Sequence, residues 1–322
     1  MDALSDVLQA VRLTGTIFFD VQATAPWVAQ TPPGPSVVDA IFPGSKHLIS
    51  YHVLTHGSCW MEMENREPLL LSAGDIIVFP HGNPHSMSSV PGMRSTANMK
   101  LYRRAKGVTL PATIMIGDSE GGPADAKFIC GFLGCDARPF NPLLDALPRV
   151  IHMSERDVAS IGFYARLAVE ESNQSRIGGQ GMLGRISELM FVDVVRRYLE
   201  TLPVGHTTWL AGLRDPIVGK AISALHTKPA RNWTLESLAR EVALSRSALA
   251  ERFTEFVGTP PMQYLTNWRM QLAATRLQAG SESIATVANH VGYESEAAFS
   301  RVFKKIVGVP PSEWRKRRAP AA

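Results

Sequence analysis

Apolar residues in the last hundred positions recur at the spacing of amphipathic helices. From Thr234, a residue type that often caps a helix, they follow an i, i+3, i+4, i+7 pattern. The pattern predicts one helix up to Val242, a short turn, and a second helix that starts at Ser245 and stops at Gly258 and a proline pair. The apolar positions of the two helices are Leu235, Leu238, Ala239, Val242, Leu249, Phe253 and Phe256.

The same order of signals returns about fifty positions later. A second apolar stripe, a Gly-Tyr turn and an aromatic helix follow one another and end at Gly308 and another proline pair. An aromatic residue comes after each proline pair, Tyr264 in the first copy and Trp314 in the second. The chain therefore repeats one helix-turn-helix unit internally. The apolar positions of the second copy are Ile284, Val287, Ala288, Val291, Phe299, Phe303 and Ile306.

Burying the apolar stripe of the second helix in each copy turns the opposite face outward, because residues advance by about 100° around a helix. Small and polar side chains on such a face suit base edges in the major groove of DNA: Arg301 suits guanine, Glu251 a cytosine amine and Ala297 a thymine methyl. Arg246 and Lys305 are better placed for phosphates. The alternative is a helical bundle with solvated faces, against which the matched copies argue. The candidate base-reading residues are Ser247, Ala250, Glu251, Thr254, Glu296, Ala297, Ser300, Arg301 and Lys304.

Three segments of the repeat are specific enough to suggest a family: residues 233–242, Gly292-Tyr-Glu-Ser-Glu-Ala-Ala-Phe-Ser-Arg-Val-Phe-Lys-Lys, and Gly308-Val-Pro-Pro-Ser-Glu-Trp-Arg. With them, residues 215–318 resemble the DNA-binding domain of the AraC/XylS family. The resemblance implies that two recognition helices, joined by a long helix over 261–277, enter successive major grooves of double-stranded DNA. It also implies base contacts by Ser247, Glu251, Ala297 and Arg301. Because Ser247 is small and Glu251 acidic where family members often carry larger readers, we expect the second copy to dominate sequence readout.

Charge follows the same division of the chain. Residues 213–322 contain 16 Lys and Arg against 9 Asp and Glu, whereas the remaining residues contain 17 against 20. The net charge of +4 therefore comes from the C-terminal part, where it attracts phosphates. The run Arg315-Lys316-Arg317-Arg318 either adds a DNA contact or is a solvated end.

The first half of the chain alternates short apolar runs with turn signals. Runs at 15–19, 48–54, 58–63, 68–71 and 75–80 are separated by turns rich in Pro and Gly. Closely spaced short strands predict a small barrel or jelly roll. We therefore expect a two-domain α+β chain, with an N-terminal β-barrel and flanking helices before the C-terminal all-α double helix-turn-helix.

Gly74, Pro80, Gly82 and His85 have the spacing of the second signature of the cupin family, a jelly-roll barrel. The first signature is poorly kept, because three residues separate the histidines at 52 and 56 where the family has one. The motifs Tyr51-His-Val-Leu and Phe128-Ile-Cys-Gly resemble the cupin-like sensor of a subgroup of AraC-type regulators. The resemblance implies that the barrel binds a small effector and does not catalyse a reaction.

The candidate metal ligands of the barrel are His52, His85 and Cys130, which the resemblance places on nearby strands. Two imidazoles and a thiolate suit Zn or another divalent metal with a fourth position open. In the alternative, the histidines hydrogen-bond inside the barrel and the cysteine packs as a small apolar residue. The candidates for lining an effector pocket, which otherwise pack in the core, are Tyr51, Trp60 and Phe79.

Two helical segments are predicted after the barrel, over 155–173 and 181–201. Their apolar faces either cap the barrel or form a homodimer interface. We expect a cupin-like effector-sensing barrel over 1–140, this helical segment over 141–202, a linker over 203–214 and the DNA-binding domain over 215–318.

The chain has no apolar run of about 18 residues and no signal-peptide pattern at its start. Its three cysteines, Cys59, Cys130 and Cys135, are too few for a disulfide framework. We therefore expect a cytoplasmic protein.

Together these features predict a transcriptional regulator and not an enzyme. It would bind DNA, and a small effector or metal in the barrel would modulate that binding. A second copy of the chain and RNA polymerase are further candidate partners. The alternative is a cupin metalloenzyme fused to a DNA-binding module, which needs a bound redox metal and turnover of a small substrate.

Overall fold

The computed structural model describes residues 2–103, 110–117, 123–154, 156–157, 159–174, 176–203, 205–280 and 282–316. The chain forms two compact units. The barrel unit comprises Leu13–Cys135 and Leu147–Glu200, and the helical unit comprises Met1–Arg12, Asp136–Ala146 and Thr201–Ala322, each as far as it is described. The N-terminal residues and a short segment after the barrel strands thus pack with the C-terminal helices, a grouping absent from the expected boundaries. The assignment of effector sensing to the N-terminal part and of DNA binding to the C-terminal part stays a prediction.

The barrel unit is a curled, mostly antiparallel sheet. Its described strands are β1 (Thr14–Thr24), β2 (Val28–Thr31), β3 (His47–Glu62), β4 (Leu69–Ser72), β5 (Ile76–Phe79), β6 (His85–Ser88), β7 (Ala112–Gly117), β8 (Ala126–Cys135) and β9 (Ile151–Met153). They hydrogen-bond in the order β2-β6-β3-β8-β1-β7, with β4 and β5 also paired to β3 and β9 paired to β5. Only the β1–β7 pair among these is parallel. The predicted barrel of short strands is confirmed in its strand-rich, curled form.

Strand β3 is one continuous strand where the sequence predicts two, over 48–54 and 58–63. The two runs form one strand, because the pairing with β8 shifts by a bulge between Leu54 and His56 and then continues. Gly57 follows the bulge with a φ of +74°, a conformation that favours glycine. Beyond the bulge, β3 pairs with β4 and β6 instead of β5, so this one strand joins two parts of the curled sheet.

The described helices are α1 (Ala3–Ala10), α2 (Val38–Ile41), α3 (Pro142–Ala146), α4 (Ala159–Gln174), α5 (Gly179–Thr201), α6 (Trp209–Arg214), α7 (Val218–Thr227), α8 (Leu235–Glu241), α9 (Arg246–Val257), α10 (Pro261–Ala279), α11 (Ile284–His290), α12 (Glu296–Val307) and α13 (Pro311–Lys316). Helix α5 begins two residues before the predicted 181 and ends at the predicted 201. Helix α4 begins four residues after the predicted 155, since residues 156–157 form a turn, and ends one residue after the predicted 173. Helix α10 is the predicted long connection, two residues longer at its end. None of the described helices is both long enough and apolar enough to cross a membrane.

Helix α10 is the centre of the helical unit. The N–H of the Trp209 indole donates to the Tyr264 hydroxyl at 2.9 Å, which fixes α6 against α10. The Gln271 amide donates to the carbonyl of Ala10 at 3.0 Å and so holds α1 on α10. The predicted linker over 203–214 therefore ends in a helix, because Thr208 caps α6 and burial of Trp209 anchors it.

Candidate nucleic-acid interface and barrel cavity

The first helix-turn-helix unit consists of α8, a tight turn and α9. Thr234 caps α8 by accepting a hydrogen bond from the N–H of Ser237 at 3.1 Å. In the turn, Ala243 has a φ of +56°, and the N–H of Leu244 donates back to the carbonyl of Ala239 at 2.9 Å. This bond turns the chain sharply, and α9 begins two residues later, at Arg246.

The second unit, α11 and α12, repeats this backbone in detail. Gly292 has a φ of +83° in the turn, and the N–H of Tyr293 donates to the carbonyl of Ala288 at 2.9 Å. Ser245 and Ser295 cap α9 and α12, each hydroxyl accepting from the N–H three residues later at 3.3 Å. Both helices end at a left-handed glycine. The internal repeat predicted from the sequence is therefore a structural repeat.

Each recognition helix buries its aromatic and aliphatic side and exposes the opposite one. Leu249 and Phe253 of α9 are fully buried, as are Phe299 and Phe303 of α12. The exposed positions among the nine candidate readers are Ser247, Glu251, Glu296, Ala297, Arg301 and Lys304, and the half-buried ones are Ala250, Thr254 and Ser300. None of the nine is buried, so all remain available to a groove.

Charge on the two exposed faces is unequal. Arg301, Lys304 and Lys305 of α12 are exposed, and none of them forms an ion pair within the described part of the chain. Helix α9 instead exposes Glu251 and Glu255 on or beside its outward face. Arg246 is exposed at the first position of α9, where it suits a phosphate contact. The positive field of the repeat is therefore stronger on α12.

Arg252, the remaining cation of α9, is tied to Asp215. Its guanidinium donates twice to the carboxylate, at 3.2 Å and 2.5 Å. Burial raises the pKa of the Asp215 carboxyl, but bonds from Arg252 and from the N–H groups of Val218 and Ile217 outweigh burial and leave the pKa below its usual value. The pair anchors α9 to the start of α7 and takes this arginine away from the outward face.

Helix α13 ends the described part of the chain. Arg315 and Lys316 lie in its last turn. Arg317 and Arg318, the other half of the basic run, lie outside the described residues.

Inside the barrel unit, two histidines and a cysteine form a hydrogen-bonded line. Cys130 Sγ lies 2.8 Å from His52 Nδ1, His52 Nε2 lies 2.7 Å from His85 Nε2, and His85 Nδ1 lies 2.8 Å from the carbonyl oxygen of Asn83. One proton assignment satisfies every atom: the thiol donates to His52, His52 donates to His85, and His85 donates to the carbonyl. The line is thus complete with all three side chains uncharged.

Burial favours the same uncharged forms. It lowers the pKa of His52 well below its usual value, with a further contribution from His85. It lowers the pKa of His85 to about 4, against the raising effect of the bond to Asn83. It also raises the pKa of the Cys130 thiol. At neutral pH the three groups are neutral.

A cavity of about 210 Å³ lies beside this line, within the barrel unit. Its walls come from alternate residues of β1, β7 and β8, and His52 and Cys130 form part of its lining. The apolar residues that contribute most to the walls are Phe19, Val21, Ile114, Ile116, Phe128 and Phe132. The structure therefore has a partly open, largely apolar cavity next to its buried polar groups.

Comparisons with known proteins find a family match for the N-terminal and for the C-terminal part of the chain. The cupin family matches residues 2–200, and a helix-turn-helix domain family matches residues 238–317. A Streptomyces lividans protein assigned as an AraC-like transcription regulator is 31% identical over 98% of this chain and 98% of its own length. A Streptomyces antibioticus protein with the same assignment is 30% identical over 99% of this chain and its full length.

The chain belongs to the AraC-type transcriptional regulators.

Among solved structures, ToxT from Vibrio cholerae O395 is similar to this AraC-type regulator at 12% sequence identity and a TM-score of 0.36. The match covers 96% of this chain and 99% of the ToxT chain. The predicted combination of a cupin-like N-terminal part and an AraC-type helix-turn-helix part is confirmed by the family matches. The individual DNA contacts remain predictions.

The three expected metal ligands of this AraC-type regulator lie together, but in a line and not around a point. Cys130 contacts one ring nitrogen of His52 and His85 contacts the other, and the two nitrogens point in different directions. Ligands of one Zn ion must all lie within roughly 2.0–2.3 Å of it. In the described part of the chain, no group of three or more His, Cys, Asp or Glu side chains is arranged to hold a metal. The expected Zn or divalent-metal site therefore does not fit these residues, and the hydrogen-bonded alternative does.

The three aromatic residues expected in the effector pocket are not among those that line the cavity. The Tyr51 hydroxyl donates to Ser187 of α5 at 2.9 Å, and the ring of Phe79 stacks on His85 at 3.6 Å between centroids. Trp60 is half-buried on β3, opposite Ser88 of β6.

Apart from His52 and Cys130, the residues that line the cavity are not among the candidates predicted from the sequence. They come from strands more than ninety positions apart, such as Phe19 of β1 and Ile114 of β7. The signal that identifies some of them is alternation, because Phe128, Cys130 and Phe132 are spaced two apart and all face the cavity.

Proposed function

We propose that this AraC-type regulator binds specific DNA sequences through α9 and α12 in successive major grooves, and that a small molecule in the barrel cavity changes this binding. The matched turns, caps and exposed faces of the two helix-turn-helix units carry the proposal. Because the proposed partner is DNA, we propose that the protein acts in the cytoplasm.

Base readout is assigned to the outward side chains. Arg301 pairs with the O6 and N7 atoms of guanine, Glu251 accepts from a cytosine amine, and Ala297 contacts a thymine methyl. Arg246 and Lys305 bind phosphates and set the register of the helices. Because α12 exposes three cations that form no ion pair with the described residues, and α9 exposes two glutamates, α12 supplies most of the affinity and most of the sequence discrimination.

Regulation by the barrel requires that the bound molecule favour one arrangement of the protein over another. The cavity beside His52 and Cys130 is the proposed binding site, because it is concave, largely apolar and edged by a few polar groups. The names of the relatives support a regulator over an enzyme as the function of this architecture.

Dimerisation is proposed through α4 and α5. Phe163 of α4 and Met182 and Leu189 of α5 are between 43% and 56% exposed, which is unusual for large apolar side chains and leaves them available to a second copy.

The test compares two substitutions on α12 with a charge-matched control. Arg301→Ala should reduce discrimination at one base pair by roughly 1–3 kcal/mol while changing the affinity for random DNA little. Lys305→Ala should weaken specific and random DNA alike and lower the salt dependence of binding. Arg66→Ala, at an exposed arginine of the barrel unit, removes the same charge and should change neither. Titrations of labelled specific and random duplexes measure all three. Equal losses on both duplexes for Arg301→Ala would contradict the assignment.

A further inference from the structure

We infer that the barrel cavity binds an uncharged, mostly apolar molecule about the size of a benzene ring with one short substituent that carries a hydroxyl or carbonyl group. The inference rests on the proposed sensing function and specifies the chemical class of its effector.

Size follows from the volume of the cavity, about 210 Å³. An apolar cavity of roughly 150 Å³ accommodates benzene. The additional space accommodates a substituent of two or three heavy atoms beside the ring. Apolar side chains on three strands enclose the ring, among them Phe19, Ile114 and Phe128.

The residues that line the cavity exclude a charged ligand. No Asp, Glu, Lys or Arg is among the described residues that line the cavity. An anion such as a carboxylate would lose its hydration without gaining a cationic partner, and a cation would find no carboxylate. His52 cannot become that partner cheaply, because one of its nitrogens accepts from Cys130 and the other donates to His85. A positive charge on His52 would also face the desolvation that lowers its pKa.

A single neutral polar group on the ligand is matched by neutral partners. The lining includes the amides of Gln30 and Asn98 and the hydroxyls of Thr31 and Tyr102. Burial raises the pKa of the Tyr102 hydroxyl, so it stays protonated and donates or accepts like an alcohol. These groups suit a hydroxyl or a carbonyl, each of which needs one or two hydrogen bonds.

The experiment uses full-length protein and matched pairs of neutral and anionic probes at pH 7: benzyl alcohol against benzoate, and acetophenone against phenylacetate. A molecule that binds the folded state raises the unfolding temperature with its concentration. We expect both neutral probes to raise the midpoint in a saturable manner, and both anions to bind at least tenfold more weakly.

Two variants on one strand locate the site. Ile114 of β7 faces the cavity, whereas its neighbour Met115 points the other way and is 57% exposed. Ile114→Trp fills the cavity and should abolish the shift by the neutral probes. Met115→Trp adds the same bulk outside it and should leave the shift intact. Circular dichroism of both variants checks that the barrel unit is folded, and a repeat with Ile114→Phe covers the case in which the larger ring prevents folding.

The outcomes separate the inference from the function on which it rests. Anions that bind as well as their neutral partners would overturn the uncharged class. A neutral shift that survives in folded Ile114→Trp or Ile114→Phe, or no shift with either neutral probe, would overturn the assignment of the cavity. The proposed function fails by a different measurement, namely if the wild-type protein does not distinguish specific from random DNA.

Discussion

His52 and His85 share one hydrogen bond inside the barrel unit, with their Nε2 atoms 2.7 Å apart. One nitrogen donates and the other accepts, and the whole line from Cys130 to the carbonyl of Asn83 is satisfied while both rings are uncharged. Protonation of either ring leaves the Cys130 thiol without its acceptor on His52 and places a positive charge among buried groups. The stability of the barrel unit is therefore linked to pH.

Acid should destabilise the barrel unit through His85. Its pKa is about 4 in the folded protein against a usual 6.5, so the unfolded chain binds a proton more readily between these values. The stability present above pH 6.5 is lost as the pH falls towards 4. From pH 7 to pH 5 we expect a loss of about 2 kcal/mol from His85 alone.

Urea unfolding at pH 7 and pH 5 measures this loss. His85→Gln should show a flatter pH dependence than the wild type, whatever its effect on absolute stability. His56→Gln, at an exposed histidine of β3, should keep the wild-type dependence. An unchanged dependence in His85→Gln would contradict the linkage.

Tyr264→Phe should destabilise the helical unit by about 2 kcal/mol, because its hydroxyl serves two buried partners. It accepts from the indole of Trp209 at 2.9 Å and lies 2.8 Å from Nε2 of His226. Without the hydroxyl both partners are left unpaired. Tyr164→Phe is the matched control, since the Tyr164 hydroxyl has no hydrogen bond to another described residue. Equal unfolding midpoints for the two variants in urea would refute the role of the Tyr264 hydroxyl.

Gly292→Ala should cost more stability than Gly308→Ala, although both glycines are left-handed. A Cβ at Gly292 would lie 2.7 Å from the carbonyl oxygen of Ala230, whereas one at Gly308 meets nothing within 4 Å. We expect about 1 kcal/mol for Gly308→Ala from the backbone alone. Overpacking should add roughly 1–3 kcal/mol for Gly292→Ala. Chemical unfolding of both variants measures the difference, and a larger loss for Gly308→Ala would contradict it.

The helical repeat is predictable from the sequence because its determinants are local. Serine caps, glycine stops and apolar residues three and four apart fix α9 and α12 without reference to distant contacts. Strand β3 was predicted as two strands, because a bulge at residues 54–56 resembles a turn in a period-two pattern.

The barrel cavity is less predictable because distant strands form it. The period-two pattern identifies the faces of β8 but not which other strand completes the wall. Tyr51 shows why residue type alone is not enough. An aromatic side chain with a hydroxyl suits a pocket, yet the Tyr51 hydroxyl donates to Ser187, 136 positions later. The two histidine candidates and the cysteine candidate lie together, as predicted. Whether such side chains surround a metal ion or form a line depends on the orientation of the rings, which cannot be predicted from residue type.

Leu189→Asp should convert a dimer to a monomer if α4 and α5 form the proposed interface. Leu189 is 52% exposed on α5, and a carboxylate there cannot be buried against a second copy without a large desolvation cost. Met115→Asp places the same charge on a comparably exposed residue of β7 and should leave the dimer intact. Sedimentation velocity distinguishes the species, and a wild-type protein that sediments as a monomer would contradict the interface.

The most direct test of the account is selection of bound DNA from a randomised library with the wild-type protein and with the Glu251→Ala and Arg301→Ala variants. Two recognition helices in successive grooves predict two blocks of preferred sequence about 10 base pairs apart. The block read by α12 should carry the stronger preference. Arg301→Ala should relax one position of that block only, and Glu251→Ala one position of the other. A single block, or an Arg301→Ala motif identical to that of the wild type, would contradict the claim that this regulator reads DNA through both helices.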